Sequence, residues 1–254
     1  MKLFFLTGCW VVLFLGGVVG SFAQDEGEQL AEPEPFAQDE FSGKRVENVE
    51  MAKELVLGRF FNAPKYGDRA PGFALIDVDS GSTVTLTELR LDKPVVLFFG
   101  SYGCDVMRGS FEKLLAVYEE YQDKVNFVMI YVREAHSLDG FGADRARVTD
   151  PKSTQERIDV AKACRDEMNI PFRILVDPVD DRVATRWAAW PIRLFVVDRG
   201  GTVVYSGRPG PWGFSPGGGF KAQHADKINP HPDRFSQMSL EDFLGDYLEK
   251  VSPE

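Results

Sequence analysis

Apolar positions in this chain follow two kinds of spacing, and the change between them predicts its elements. From Lys93 onward the run PVVLFFG is almost continuously apolar, which is typical of a strand buried on both faces of a sheet. Residues 105–122 then repeat apolar positions at helical spacing, and the run VNFVMIYV at 125–132 predicts a second buried strand. This order of strand, helix and strand predicts two parallel strands joined by a right-handed crossover.

The same patterns continue on both sides of this core. Upstream, helical spacing predicts a helix over 46–61, and two short alternating segments within 66–89 predict a hairpin that turns at Ser80 and Gly81. Downstream, the spacing predicts helices at 154–168, 182–189 and 239–251, and strands at 173–177, 192–198 and 202–206. The predicted class is α/β with a thioredoxin-like fold: a central mixed sheet flanked by helices, with an N-terminal hairpin extension.

The first 23 residues have the pattern of a targeting segment. A single early Lys2, a long apolar run and small residues at Ser21 and Ala23 predict a secretory signal peptide over residues 1–23. The alternative is an uncleaved anchor that tethers the protein to a membrane, although the run from Phe4 to Val19 is slightly short for a span. The signal peptide predicts an exported protein, periplasmic or extracellular.

Residues 24–44 form an acidic segment that contains two prolines. The pentapeptide FAQDE occurs twice in this region, at 22–26 and 36–40. This composition predicts a disordered linker, which leaves residues 45–254 as the folded domain. The whole chain has 39 acidic and 29 basic residues, a formal net charge of −10, and no basic run appears along it. We therefore expect no nucleic-acid partner.

Two cysteines, Cys104 and Cys164, remain after removal of the signal peptide, too few for a disulfide framework. Cys104 follows the first buried strand and begins the predicted helix, where free backbone N–H groups and the helix dipole favour a thiolate. A reactive thiol is therefore predicted there, with a buried structural cysteine as the alternative. Cys164 shares a helical face with apolar neighbours, so we interpret it as a core residue, with a resolving thiol as the alternative.

Pro191 stands at the start of the predicted strand IRLFVVD, a position where proline is tolerated. In thioredoxin-like folds this position holds a cis-proline that faces the active-site thiol. We therefore predict a cis Trp190-Pro191 bond, with an ordinary trans proline at a strand edge as the alternative.

The segment GDRAPGFALIDVDSGSTVTLTEL resembles the membrane-tethered and periplasmic thioredoxin-like reductases, whose active site reads C-x-x-C. Here Met107 occupies the second cysteine position. A methionine cannot attack a mixed disulfide, so the intramolecular release step of a dithiol reductase is missing. This argues against a general disulfide reductase and favours a single thiol that an external thiol restores.

A closer resemblance covers most of the chain from about residue 66. The segment FFGSYGCDVMRGSFEKLLAVYEEYQDKVNFVMIYVREAHSLDGF at 98–141, the NIP tract at 169–171 and the tract YSGRPGPWGF at 205–214 resemble the iodothyronine deiodinase family. In that family a phenylalanine-glycine-serine tract leads to a selenocysteine, and a later strand ends in glutamate-alanine-histidine. The resemblance implies a thiol-dependent oxidoreductase with this active site.

Carried over position by position, Cys104 occupies the selenocysteine position, Ser101 keeps the serine three residues before it, and Glu134 and His136 keep the acid and the histidine. The family's histidine handles protons around the substrate's phenol. Two departures matter, because sulfur replaces selenium and Tyr102 stands where many members carry a helper cysteine. The first lowers nucleophilicity and the second removes a nearby resolving thiol.

The residues also indicate roles independently of the family. His136 lies just past the strand predicted to neighbour the Cys104 strand, and its titration range suits general acid or base chemistry, with a solvent-facing histidine as the alternative. Glu134 is predicted to orient His136, and Ser101 to donate a hydrogen bond to the thiolate. The substrate is predicted to lie against Tyr102, Gly103, Trp190 and Pro191.

Two further segments contain candidate functional residues. Trp212 and Phe214 could line a substrate crevice or pack their insertion onto the sheet. The histidines and aspartates of HADKINPHPD at 224–233 fit no usual zinc spacing, so no metal site and no bound cofactor are predicted.

The predicted function is reductive dehalogenation of a halogenated phenol by a single cysteine. An external thiol, free or on a thioredoxin-like protein, would reduce that cysteine again. The first alternative is a peroxidase in which the thiolate attacks a peroxide and becomes a sulfenic acid. The second is a binding module in which Cys104 is inert.

Overall fold

The computed structural model describes residues 43–60, 62–211, 213–218 and 235–251, all within one compact unit that spans residues 35–254. The helices are α1 (Val49–Phe60), α2 (Leu86–Leu89), α3 (Asp105–Tyr121), α4 (Thr154–Met168), α5 (Arg182–Arg186) and α6 (Leu240–Val251). The strands are β1 (Ala74–Asp77), β2 (Thr83–Thr85), β3 (Val95–Gly100), β4 (Asn126–Tyr131), β5 (Arg173–Val176), β6 (Arg193–Val197) and β7 (Val203–Ser206).

The seven strands form one mixed sheet in the order β2-β1-β5-β4-β3-β6-β7. Strands β3, β4 and β5 are parallel, and β6 and β7 extend the sheet antiparallel beside β3. The predicted hairpin, β1 and β2, joins the other side because β1 pairs antiparallel with β5. The predicted α/β, thioredoxin-like architecture is confirmed.

Strand β3 lies at the centre of the core, as its continuous apolar run predicts. All six of its residues are buried, because helices and loops cover both faces of the sheet. On one face Phe99 contacts the rings of Trp187 and Phe195 at 5.8 Å between centroids. On the other face Phe98 lies 6.0 Å from Phe214. The end of β3, where the reactive thiol is predicted, is therefore packed on both faces of the sheet.

Two predicted boundaries are wrong, and each has a local cause. The hairpin ends at Thr85, because the Thr85 side chain accepts the Glu88 N–H while Glu88 accepts the Thr85 N–H, a capping box that starts α2. The T-x-x-E spacing in the sequence is the signal for this helix. The helix predicted over 182–189 ends at Arg186, because Ala188 has a positive φ of 47° and turns the chain toward β6.

The predicted cis Trp190-Pro191 bond is confirmed, and Gly210-Pro211 is also cis. Across the described ranges, no helix combines the length and the apolar character needed to cross a bilayer. The signal peptide, most of the acidic linker, Trp212 and the tract at 224–233 lie outside the described residues. These assignments stay predictions.

Candidate active site

The turn after β3 places Cys104 at the first position before α3. The Cys104 N–H donates to the Ser101 carbonyl at 3.0 Å, which closes the turn, and the extended backbone of Cys104 makes it the N-cap of the helix. The predicted position of the thiol at a helix N-terminus is therefore confirmed. The backbone N–H groups of Met107 and Val106 lower the pKa of the thiol, as the prediction assumed.

The expectation of a thiolate is nevertheless wrong for this structure. Cys104 is 1% exposed, and burial raises the pKa of its thiol to about 12, with the charges of Asp105 and Glu134 adding to the effect. Desolvation outweighs the helix N-terminus because a thiolate buried without a counter-ion loses its hydration. At neutral pH the Cys104 thiol is protonated in this conformation.

Glu134 binds the active-site turn and does not orient His136. Its two oxygens accept the Gly103 N–H at 2.6 Å and the Tyr131 hydroxyl at 2.5 Å, and the Tyr131 hydroxyl in turn accepts the Tyr102 N–H at 3.0 Å. Burial raises the pKa of the Glu134 carboxyl to about 7. The side chain is therefore poised to exchange a proton near neutral pH, beside the turn that holds the thiol.

The partner of His136 is Asp105, the residue directly after Cys104. His136 Nε2 lies 3.4 Å from Asp105 Oδ1, and Arg145 Nη1 lies 3.2 Å from Asp105 Oδ2. Burial and the neighbouring Arg145 lower the pKa of His136, against the opposing effect of Asp105. Partial burial pushes the pKa of Asp105 up, but His136 and Arg145 pull it below its ordinary value. The predicted Glu134–His136 pair is thus replaced by an Asp105–His136 pair.

The other predicted site residues mostly serve the turn itself. The Ser101 hydroxyl accepts the Ala135 N–H at 3.0 Å, which ties the end of β3 to the segment after β4. Tyr102 is 6% exposed and its hydroxyl donates to Glu167 on α4, so its ring supports the turn and does not line an open crevice.

Trp190 and Pro191 differ in their exposure. Trp190 is buried with the Arg133 guanidinium 5.7 Å from its ring, and its predicted contact with the substrate stays a prediction. Phe99 pairs with Arg193 at the end of the antiparallel ladder, so Pro191 precedes the strand that runs beside β3, and it is partly exposed. Its predicted contact with the substrate stays a prediction.

Gly103 fits the site only because it lacks a side chain. A Cβ at this position would lie 2.1 Å from the His136 carbonyl oxygen and 2.8 Å from Glu134 Oε2. We expect Gly103→Ala to destabilise the fold by about 1–3 kcal/mol, because the backbone must shift to relieve the overlap. The change is measured as the free energy of unfolding in urea.

Gly109→Ala is the matched control, since Gly109 lies within α3 and a Cβ there would meet no heavy atom within 4 Å. Alanine at that helical position should be neutral or stabilising by about 0.5–1 kcal/mol. Equal destabilisation by the two substitutions would contradict the close approach at Gly103.

A buried ionic cluster supports the strand ends around the site, and the sequence analysis missed it. Arg157 Nη1 donates to Asp181 Oδ1 at 2.9 Å and to the carbonyls of Asp177 and Pro178 at 3.0 and 2.8 Å. Arg133 lies 3.4 Å from the second Asp181 oxygen. Arg157 and Arg133 each lie at least twenty residues along the chain from the groups they contact, so no local spacing reveals the cluster.

Cys164 has the surroundings of a core residue. It is fully buried, its Sγ lies 3.8 Å from Met168 Sδ, and burial raises the pKa of its thiol. Both cysteines of the described chain are free thiols. Within the described ranges, no group of three or more His, Cys, Asp or Glu side chains is arranged to hold a metal ion.

Comparison with known proteins identifies relatives over the whole of this site. A family model described as iodothyronine deiodinase matches residues 35–218. The type I iodothyronine deiodinase of Xenopus laevis is 28% identical over 167 residues, and the alignment covers 64% of this chain and 64% of that protein. The thyroxine 5-deiodinase of Gallus gallus is 26% identical over 176 residues and 67% of each chain. The chain thus spans about two thirds of the length of these relatives.

The chain also aligns with solved structures. A crystal structure of a putative thiol:disulfide interchange protein DsbE from Chlorobium tepidum aligns with a TM-score of 0.46 and 19% identity, covering 73% of this chain and 99% of that one. An uncharacterized conserved protein from Geobacillus kaustophilus aligns with a TM-score of 0.44 and 24% identity, covering 56% of this chain and 68% of that one.

Proposed function

The chain belongs to the iodothyronine deiodinase family, and from that premise we propose that it is a thiol oxidoreductase that removes iodine reductively from an iodinated phenol. The observation that supports this proposal is the position of Cys104. It caps α3 at the end of the central strand, within a turn bound by Glu134 and beside the Asp105–His136 pair.

The proposed reaction has two stages whose atoms and electrons balance. In the first, the Cys104 thiolate attacks the iodine of the carbon–iodine bond, the carbon takes the bonding electron pair and a proton, and a sulfenyl iodide forms on Cys104. The substrate carbon is reduced and the sulfur is oxidised. In the second, an external thiolate attacks that sulfur and expels iodide, and a second external thiol breaks the resulting disulfide, which returns Cys104 to its reduced form.

Two side chains supply the proton steps in this proposal. Glu134 is the acceptor for the Cys104 proton, because burial places the pKa of its carboxyl near 7 and its Oε2 already binds the neighbouring Gly103 N–H. His136 is the donor to the substrate carbon or phenol. Since the resting thiol is buried and protonated, the segment that carries His136 must move before the sulfur reacts.

We also propose a reductant for Cys104 and a cellular compartment for the protein. The reductant is an external thiol, either a small dithiol or a thioredoxin-like protein, because Met107 leaves no second thiol at the C-x-x-C position. Cys164 is not assigned this role, since it lies buried against Met168. The protein acts after export, in a periplasmic or extracellular compartment, free or tethered through its N-terminal segment.

One observation favours a second candidate, a binding module in which Cys104 has no chemical role. The thiol is 1% exposed and its pKa is raised to about 12, which are the properties of a structural cysteine. The binding module would have the same fold as the proposed enzyme, and it would differ only in that the Cys104 sulfur does not react.

Incubation of the full chain with a dithiol and an iodinated phenol tests the proposal. We expect dithiol-dependent release of iodide, and intact-mass spectrometry should show an adduct on Cys104 when the dithiol is limiting. Hydrogen peroxide serves as the parallel substrate. Rapid loss of peroxide without iodide release would replace the proposal with the peroxidase, and no turnover of either substrate together with no adduct would replace it with the binding module.

A further inference from the structure

The carboxylate of Asp105 lies where the reacting groups of the site converge. Its Oδ1 is 3.4 Å from His136 Nε2 and accepts the Val106 N–H at 3.0 Å, while its Oδ2 is 3.2 Å from Arg145 Nη1. Its backbone adjoins Cys104. The Asp105 carboxylate thus contacts three donors at once: His136 Nε2, the Arg145 guanidinium and the Val106 N–H at the start of α3.

The groups around Asp105 hold His136 in place from the other sides. The Phe141 ring lies 5.1 Å from the imidazole, and the Arg145 guanidinium lies 5.8 Å from the Phe141 ring. A Cβ on Gly142 would fall 2.3 Å from His136 Nδ1, so the backbone covers that nitrogen. Nε2 is therefore the ring nitrogen that a ligand can reach, and Asp105 is bound to it.

The contacts of Asp105 are those that a small anion would make. An imidazole nitrogen, a guanidinium and a backbone N–H are the donors that bind a phenolate or a carboxylate oxygen. The side chain of Asp105 is 41% exposed, whereas that of His136 is 10% exposed, so the carboxylate lies on the solvent side of the imidazole. An incoming ligand meets Asp105 before it meets His136.

We propose that Asp105 is an internal stand-in for the anionic oxygen of the substrate. It holds His136 and Arg145 against the N-terminus of α3, next to Cys104, until a phenolate or carboxylate displaces it. This inference rests on the proposed function for the identity of the ligand, since a phenol presents such an oxygen. Displacement of Asp105 frees Nε2 for the substrate and moves a negative charge that raises the pKa of the Cys104 thiol.

Alkylation of Cys104 tests this inference without any dehalogenation. Iodoacetate and iodoacetamide react with the same thiolate, but only iodoacetate carries a carboxylate. We expect Asp105→Asn to speed alkylation by both reagents, and to raise the ratio of the iodoacetate rate to the iodoacetamide rate by about threefold or more, because the competing carboxylate is gone. Peptide mapping confirms that the label is on Cys104.

Asp144→Asn is the matched control. Asp144 also lies beside Arg145, at 3.9 Å, and its side chain is 81% exposed, whereas the carboxylate that contacts His136 is that of Asp105. This variant removes the same charge and should change the ratio by less than about half as much, through long-range electrostatics alone.

The double variant Asp105→Asn/His136→Gln identifies the receiving group. If His136 takes the anion, the gain in the rate ratio seen with Asp105→Asn should be mostly lost in the double variant. An unchanged ratio in Asp105→Asn, an equal change in Asp144→Asn, or a full gain in the double variant would each overturn the inference. Those outcomes leave iodide release by the wild-type protein untouched, so the failure of the inference and the failure of the proposed function are distinguishable.

Discussion

Cys104→Ser should lose iodide release by at least about 1000-fold, the scale seen when an enzyme's nucleophile is removed. A serine hydroxyl is close in size to the thiol and is well tolerated at a helix N-cap, the position of Cys104. It is, however, far less acidic and does not accept iodine as a sulfur does. Iodide release with excess dithiol and an iodinated phenol measures the loss, and circular dichroism with thermal unfolding checks that the fold remains.

Cys164→Ala is the matched control for this change. Cys164 is the other described cysteine and is fully buried on α4. We expect the alanine variant to keep turnover within about threefold of wild type while losing about 1 kcal/mol of stability, because a small buried side chain is truncated. Turnover that persists in Cys104→Ser, or that disappears only in Cys164→Ala, would show that the wrong sulfur has been assigned.

Arg157→Met should lower the free energy of unfolding by about 3–5 kcal/mol, the cost of breaking a buried ion pair by removing one partner. The Arg157 guanidinium is buried, and it bonds to Asp181 and to the carbonyls of Asp177 and Pro178. Methionine fills a similar volume but leaves the Asp181 carboxylate with one guanidinium fewer, and it removes one donor from each of the Asp177 and Pro178 carbonyls. Urea denaturation measures the difference.

Arg165→Met, on the same helix, is the control for Arg157→Met. Arg165 pairs with Asp79 and Asp166 at the surface, and the side chains of these two acids are more than half exposed. Ion pairs of this kind contribute about 0–1 kcal/mol. A loss of stability in Arg165→Met as large as that in Arg157→Met would contradict the role assigned to the buried cluster.

The cluster also affects the candidate site. Arg157 lowers the pKa of both Glu134 and Asp150, against the burial that raises each of them. Removal of Arg157 should therefore leave Glu134 protonated to a higher pH. Glu134 is then a poorer acceptor for the Cys104 proton near pH 7, and the activity of any folded Arg157→Met protein should shift to higher pH.

For Cys104, local sequence predicted the position of the thiol but not its protonation state. Its place after β3 and before α3 follows from the buried run and the helical spacing, and both are local patterns. The prediction of a thiolate used one effect, the helix N-terminus, which local sequence also reveals. The burial that opposes it arises when the folded chain packs around Cys104, and no local pattern reports that burial.

His136 shows the same limit. Its position after β4 indicates proximity to Cys104, because the ends of neighbouring parallel strands meet at one edge of a sheet. Its partner was predicted to be Glu134, two residues away. Residues two apart project in the same direction only within a strand, and β4 already ends at Tyr131. The loop then turns Glu134 toward Gly103 and His136 toward Asp105.

The sequence by itself determined the order of the elements and the position of the Cys104 thiol, which depend on hydrophobic periodicity and on motifs within a few residues of each other. The likeness to thioredoxin-like folds predicted the mixed sheet and the cis bond at Trp190-Pro191. The tertiary structure decided the protonation state of Cys104, the partner of His136, and the pairing of Arg157 with Asp181. Those features depend on which distant groups exclude water and share a small volume, because the energy of a charge is set by its surroundings in space and not by its neighbours along the chain.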